Sequence, residues 1–342
     1  MKDILVTGGL GYIGSHTVVQ LIEKNYNVTI VDNLSNSKIF ILDNLEKITG
    51  KRPDYFNIDL TDYNKINSCF SKNKYDGVIH FAALKSVSES VNHPDKYYHN
   101  NLNSLLNLLR CMKEYDIKNI IFSSSCTVYG QPDKLPVSEK SPFKAAESPY
   151  ARTKQISENI IEDFTNSISF LSAISLRYFN PVGAHHSGLI GELPLGTPDN
   201  LVPYITQTAA GIRQELKIFG DDYNTHDGTA IRDYIHVEDL AEAHITALQR
   251  MIENKMESKY EYYNIGTGLG YSVLDVVKSF ENVNKLKLNY SFSERRSGDI
   301  EKMFSDCTIS NKKLGWNSKN GLDEMMSSAW KWEKNISKFY KG

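Results

Sequence analysis

A glycine cluster between a short apolar run and a helical pattern constrains this chain more than any other feature. Asp3–Thr7 (DILVT) predicts a strand, and Tyr12–Lys24 carries helical spacing at Ile13, Val18, Leu21 and Ile22. Gly8-Gly9-Leu10-Gly11-Tyr12-Ile13-Gly14 joins them, fitting G-x-G-x-x-G from Gly9 or G-x-x-G-x-x-G from Gly8. Either way the glycines permit a tight turn and a close backbone approach. The helix that follows offers free N–H groups and its positive end to a pyrophosphate. A second strand, Asn27–Val31, runs into Asp32, 18 residues beyond Gly14, where a carboxylate for a ribose hydroxyl is expected. No arginine follows in Asn33-Leu34-Ser35-Asn36-Ser37, and Lys38 is the only nearby cation for a 2′-phosphate, so the pattern favours NAD over NADP.

The alternation continues. Strands are predicted at Tyr55–Ile58, Gly77–Ala83, Asn119–Ser123 and Ile168–Tyr178, and helices at Thr61–Ser71 (capped by Thr61 or Asp62), Asp95–Tyr115 and Tyr150–Phe164. Such a succession calls for an α/β fold, a Rossmann-type parallel sheet with helices on both faces. After Asn180 the pattern changes: Pro181–Thr229 is rich in Gly, Pro, Asp and Asn, with one helix at Val202–Arg213 and a strand at Lys217–Phe219. Further helical patterns lie at Asp239–Ile252 and Val273–Asn282. We therefore expect a dinucleotide-binding domain over residues 1–180 and a smaller α/β substrate domain over 181–342, with a segment near 236–264 returning to the first.

Composition narrows the function classes. Lys+Arg total 39 and Asp+Glu 41, so nothing in the charge balance calls for a nucleic-acid partner. No apolar stretch approaches the roughly 18–20 residues of a membrane helix, and Met1–Thr7 lacks the make-up of a secretion leader. Cys69, Cys111, Cys126 and Cys307 lie far apart without a CxxC pair, so neither a metal site nor redox chemistry is expected of them. A cytoplasmic enzyme with free thiols is the expectation.

The chemistry is carried by Tyr150 and Lys154. Ser148-Pro149 supplies a cap and a first-turn proline, and residues four apart share a helix face, so phenol and ammonium stand side by side. A free tyrosine titrates near pH 10; lowering it by about 3 units requires about 4 kcal/mol of preferential phenolate stabilisation. A neighbouring Lys⁺ together with a cationic nicotinamide ring could supply much of that. Taken alone, Tyr-x-x-x-Lys is common by chance and would read as a surface pair. Its place after the fifth strand, 25 residues beyond Ser125, argues otherwise, with Ser125 as the hydroxyl that orients a sugar hydroxyl rather than a strand-end cap.

Gly8–Gly14, Asp32, Ser125, Tyr150 and Lys154 together resemble the extended short-chain dehydrogenase/reductase superfamily. Longer strings are similar to UDP-glucose 4-epimerases: Asp32 to Ser37, His80-Phe81-Ala82-Ala83-Leu84-Lys85, Phe122 to Gly130, Arg177 to His185, and Arg232-Asp233-Tyr234-Ile235-His236-Val237. The last two fall in the substrate region. The resemblance runs from Lys2 to about Trp332, and only Cys126 departs from it, standing where a smaller residue is expected.

That resemblance implies roles. For NAD, Gly8, Gly11, Tyr12, Ile13 and Gly14 would lie at the pyrophosphate, Asp32, Asn33, Leu34, Ser35, Asn36 and Ser37 at the adenosine ribose, and Asp59 and Leu60 beside adenine. Phe81, Ala82, Ala83, Leu84, Lys85 and Asn100 would continue the dinucleotide site, with Phe179 against the nicotinamide. Tyr150 would be the base, Lys154 its tuner and a ribose ligand, and Ser125 the partner hydroxyl. For a UDP-hexose, Lys85, Asn180, Asn200 and Leu201 would face the nucleotide sugar and Lys217, Ile218 and Phe219 the uracil. Arg232 and Arg296 would grip the diphosphate, where a guanidinium fork matches phosphate bidentately, and Asp299 the uridine ribose. Counting from Arg296-Ser297-Gly298-Asp299 without a gap places Met303 at the sugar 2-position, where a bulky residue tends to exclude an N-acetyl group. The implied reaction interconverts UDP-galactose and UDP-glucose through a 4-keto sugar, as in galactose metabolism, in a homodimer. The alternatives are an epimerase acting mainly on N-acetylated UDP-hexosamines and a dehydratase or oxidoreductase of the same superfamily. A dehydratase needs a carboxylic acid beyond Ser125, and Cys126-Thr127 provides none.

Overall fold

Continuous apolar runs, rather than alternating ones, identify strands covered on both faces. The computed structural model describes residues 1–296 and 299–340. In its first half β1 (Asp3–Thr7), α1 (Tyr12–Glu23), β2 (Asn27–Val31), α2 (Phe40–Thr49), β3 (Asp54–Phe56), α3 (Tyr63–Lys72) and β4 (Gly77–His80) follow one another. Next come α4 (Val87–Asn92), α5 (Pro94–Glu114), β5 (Asn119–Ser123), α6 (Pro149–Ser167) and β6 (Ser172–Tyr178). In β1, Ile4 and Val6 point to one side, into a core with Val18, Leu21 and Leu248, while Leu5 points to the other, among Ile66, Leu105, Leu109 and Ile161. The period of two along the strand thus divides the hydrophobic interior into two layers.

The remaining elements are β7 (Asn180–Val182), α7 (Leu201–Ala209), β8 (Leu216–Phe219), β9 (Ile231–Arg232), β10 (Tyr234–His236) and α8 (Val237–Ile252). They continue with β11 (Tyr260–Ile265), β12 (Tyr271–Ser272), α9 (Val273–Asn284), β13 (Tyr290–Ser293), β14 (Lys302–Met303), α10 (Thr308–Leu314) and α11 (Leu322–Tyr340). The main sheet has seven strands in the order β11-β6-β5-β4-β1-β2-β3, and every pairing in it is parallel. The fold is therefore α/β and Rossmann-type. β11 pairs with β6 at the edge of the sheet, and α8 packs on α1. Smaller pairings, β7–β10, β8–β13 and β12–β9–β14, carry the other half. They share a third core of Val202, Ile205, Ile218, Val276, Phe280, Met325 and Met326.

Several boundaries differ from expectation for identifiable reasons. β4 stops at His80, not Ala83: Phe81 N–H makes one last bond to Thr7 O (3.0 Å), then Leu84 N–H turns to the Asn101 side chain (2.9 Å). β6 starts at Ser172, because a turn closed by Leu171 N–H to Ile168 O (3.2 Å) occupies the preceding residues. α3 is capped by Asp62, which accepts from Lys65 N–H (3.2 Å); Thr61 is bound instead to Asp59. α7 ends at Ala209, short of Arg213. α2 was not expected at all. Ser297 and Gly298, the centre of the Arg296–Asp299 string, lie outside the described residues.

Candidate active site

The site forms where the strands of the main sheet end. Gly8 N–H bonds to Val31 O (2.8 Å) and Gly11 N–H to Gly8 O (3.0 Å), folding the turn tightly over β1. A Cβ on Gly14 would stand 2.2 Å from Gly8 O, and one on Gly8, at φ +70, would stand 2.8 Å from Ala82 N. Both places therefore require glycine. α1 opens at Gly11 with no side-chain cap and no acidic residue in its first turn, so its leading N–H groups and positive end remain available to an anion. Ile13 packs on the core, and Tyr12 donates to Gly183 O (2.6 Å), tying the turn to the second half of the chain.

Asp32, buried at the end of β2, accepts from Leu10 N–H (3.1 Å), Leu34 N–H (2.9 Å) and Ser37 Oγ–H (2.9 Å). These bonds shape the loop that follows. Ser35 N–H closes on the Asn33 side chain (3.0 Å), Ser35 and Asn36 are exposed, and Asn33 Nδ2 reaches Asp59 (3.0 Å) beside buried Leu60. Phe81, Ala82, Ala83 and Leu84 line the end of β4 half-buried, while Asn100 donates to Asn101 (3.0 Å). The structure thus brings one end of β1, β2 and β4 into a cradle with the backbone room, open N–H groups and carboxylate that a dinucleotide requires.

Ser125 leaves β5 in extended conformation and starts a single 3₁₀ turn, Cys126–Tyr129; its Oγ accepts from Thr127 N–H (3.2 Å) and Thr127 Oγ–H (3.0 Å). Tyr150 is the second residue of α6, behind Pro149 and the Ser148 cap, whose Oγ accepts from Ala151 N–H (3.2 Å). Lys154 stands one turn on. Its Nζ donates to Ser123 O (2.6 Å) and lies 4.7 Å from the Phe122 ring centre and 5.9 Å from that of Tyr150. Burial pulls Lys154 down to about 8, with Glu158 opposing. Burial, joined by Tyr178, pushes the Tyr150 phenol well above its ordinary value, and a hydrogen bond with Ser125 works the other way. Without further positive charge nearby, the phenol stays protonated at neutral pH.

On the facing side Phe179 is buried, and Asn180 N–H bonds to Asp233 O (3.0 Å). Arg232 Nη2 lies 3.8 Å from Asp299 Oδ1, and the Arg296 guanidinium stacks 4.0 Å over the Phe219 ring. Met303 pairs with Arg232 in register across β14 and β9, and its buried side chain joins Val128, Tyr129, Val137 and Phe179. Lys217 is exposed and donates to Ser291 (2.7 Å), whereas the Ile218 side chain belongs to the third core. Only the backbone of Ile218 is therefore on offer to a ligand. Leu201 opens α7, and Asn200 Nδ2 donates to Glu192 (2.7 Å), the same carboxylate that receives Lys85 Nζ (2.8 Å).

Glu192 and Glu158 escaped the sequence reading, whereas Asp233 and Arg177, which stand inside the strings that carry the resemblance, were given no role in it. Asp233, fully buried, accepts from Thr267 N–H (2.8 Å), Gly268 N–H (3.1 Å) and Ser305 N–H (3.1 Å), and so fixes the loops around Arg232. Of the two that escaped, Glu158 carried a usable signal: it lies four residues after Lys154, on the same helix face.

Comparison with known proteins agrees with this geometry. A family model described as GDP-mannose 4,6 dehydratase matches residues 5–329. A protein of Drosophila melanogaster named UDP-glucose 4-epimerase is 47% identical, covering 96% of both chains. Its namesake in Haemophilus influenzae is 48% identical over 99% of both. Among solved structures, UDP-glucose 4-epimerase from Stenotrophomonas maltophila, with bound NAD and formylated UDP-arabinopyranose, superposes with a TM-score of 0.96 at 42% identity, covering 99% of this chain and 100% of that one. The enzyme from Bifidobacterium longum, in complex with NAD⁺ and UDP, gives 0.93 at 43% identity, with 98% and 99% covered.

Proposed function

Because the chain belongs to the UDP-glucose 4-epimerase family of extended short-chain dehydrogenases/reductases, we infer that its cleft interconverts UDP-galactose and UDP-glucose by reversible oxidation at C4. NAD is the cofactor and a UDP-sugar the substrate. The observation that carries the reading is the meeting of Ser125, Tyr150 and Lys154 beside the glycine turn, with Cys126 and Thr127 in place of the carboxylic acid a dehydratase would need.

Bound NAD supplies the hydride acceptor for C4 and, in the return direction, the donor. The chain's own residues do the rest. Positive charge from Lys154 and from a nicotinamide ring offsets the burial that raises the Tyr150 phenol. The phenolate then takes the proton of the sugar 4-hydroxyl, which Ser125 orients. Arg232 and Arg296 hold the diphosphate, so the UDP tail retains the 4-keto sugar while the hexose turns its other face. Tyr150 returns its proton as C4 is reduced. Residues 1–180 with the returning strand β11 serve the dinucleotide, and most of 181–342 serves the UDP-sugar. Supporting that division are the glycine turn and Asp32 in the first part and both arginines in the second.

We also propose a cytoplasmic homodimer. Leu102 and Leu106 on α5 and Ile156 on α6 stay half-buried although the two helices pack together, leaving an apolar stripe that a second copy would cover. The four cysteines stand as free thiols, the form a reducing compartment maintains. No described helix is long and apolar enough to cross a membrane.

The test is to incubate the purified protein with UDP-galactose and no added NAD, then measure UDP-glucose. Product should appear, and boiled protein should release stoichiometric NAD. A chain that oxidises the sugar only while added NAD is consumed is a dehydrogenase, and the reading fails.

A further inference from the structure

We propose that Glu192 is a positioning residue for the sugar nucleotide, holding Lys85 and Asn200 in place through one shared carboxylate oxygen. The proposal rests on the epimerase reading above. Glu192 Oε1 accepts from Lys85 Nζ at 2.8 Å and from Asn200 Nδ2 at 2.7 Å. Its side chain is 10% exposed against 49% for Lys85, so a sheltered acceptor restrains a solvent-facing cation. The two donors come from different halves of the chain: Lys85 follows β4 of the main sheet, and Asn200 precedes α7. Among the described residues, neither side chain has a second hydrogen-bond partner that would fix it.

Glu192 has a rigid footing. Trp332 Nε1–H donates to Glu192 O (2.8 Å), and the buried Trp332 ring packs so closely that a Cβ on Gly191 would stand 2.4 Å from it. The peptide carrying the carboxylate therefore lies against an indole that cannot yield, and Lys85 and Asn200 must come to it. A second strap lies seven residues on from Glu192, where the Asp199 carboxylate accepts from Ser86 Oγ–H (2.6 Å) and Ser88 Oγ–H (3.2 Å). Both ends of residues 192–200 are thus tied to the loop after β4. A flexible lysine stem and an amide with two rotatable bonds would otherwise have to be ordered by the incoming ligand. Glu192 touches none of Ser125, Tyr150 or Lys154, so its removal should weaken binding more than turnover.

The experiment compares E192A and E192Q with the wild type in the NAD-loaded protein. It measures kcat and KM for UDP-galactose, UDP affinity by calorimetry, and NAD released on boiling. In E192A, KM and the UDP dissociation constant should rise about tenfold while kcat moves less than about threefold and NAD content is unchanged. E192Q keeps an oxygen for both donors and should return within about threefold of wild type. K85M/N200A should reproduce the E192A loss, and adding E192A to that background should change UDP affinity no further, since residues acting as one unit are not additive. If E192A does not fold, K85M/N200A decides the matter: UDP affinity within about threefold of wild type overturns the assignment. Unchanged UDP affinity in E192A, a loss confined to kcat, or an added loss in the double background would overturn the assignment. The UDP titrations stand by themselves: a wild type that binds UDP but does not epimerise UDP-galactose defeats the functional reading alone.

Discussion

Arg177 donates to both carboxylate oxygens of Glu158, from Nε at 3.0 Å and from Nη2 at 2.6 Å, with the two side chains only 4% and 3% exposed. Ser124 Oγ–H (2.5 Å) and Tyr260 OH (3.1 Å) complete the shell of Glu158, and the Tyr262 ring lies 4.1 Å from the guanidinium. One pair thus joins the residue before Ser125, the helix of Lys154, β6 and β11. Glu158→Ala would leave a buried guanidinium without its partner. We expect it to lower stability by about 3–5 kcal/mol, the range for breaking such pairs. Urea unfolding measures this, and a loss below about 1 kcal/mol would show that the pair is not needed.

Tyr150→Phe removes the proton acceptor and keeps the ring in its buried place. Turnover should fall by at least about 100-fold, the lower end for general acid–base catalysis, with NAD still bound. Near-normal turnover would exclude Tyr150 as the base.

Arg232→Lys replaces a planar fork by a point charge beside Asp299. UDP affinity should drop in calorimetric titration while NAD content holds. Unchanged affinity would move the diphosphate elsewhere.

Met303 packs with Phe179, the residue proposed for the nicotinamide, in a small core, and we propose that its side chain also faces the sugar. An unbranched thioether folds aside easily. Strong activity on UDP-galactose and weaker, detectable activity on UDP-N-acetylgalactosamine are expected. Met303→Tyr should suppress the second selectively. A proportional fall in both would make Met303 packing only.

Acid should destabilise the protein steeply. Burial holds His16 and His80 at about 3 and His244 at about 4, against an ordinary value near 6.5. Because the folded values are depressed, the unfolded chain takes up protons that the native state refuses as pH falls below about 6.5. The stability these groups allow is complete above that pH and is lost progressively toward pH 3 to 4. At pH 5 each contributes a loss of about 2 kcal/mol. Urea midpoints at pH 7.5, 6 and 5 should fall accordingly, and His244→Gln should flatten the slope. A flat profile would mean that these imidazoles are charged in the native state.

The main sheet was readable because each of its first strands is a local apolar run set between turn signals, and α6 because Ser148-Pro149 announces its start. α2 was missed although Ile41, Leu42, Leu45 and Ile48 have helical spacing, since Asp43, Asn44 and the exposed Ile39 blur its beginning. The two-residue strands β9, β12 and β14 have no periodicity to detect; they exist through pairings between distant segments. Glu192 was invisible for the same reason, as its partner Lys85 lies 107 residues away. Ile218, read as a ligand contact by resemblance, turned out to face the core because a strand alternates its side chains.

The edge position of β11 also bears on how the chain is made. On a ribosome, β6 emerges some eighty residues before its partner, and until Tyr260–Ile265 has left the exit tunnel the growing sheet presents an open, largely apolar strand edge. Such an edge invites pairing with other nascent chains. Cutting the gene at the proposed boundary near residue 180 would make that transient exposure permanent. A dinucleotide-binding fragment meant for separate expression therefore has to carry α8 and β11, spliced back beside β6, to be a self-sufficient unit.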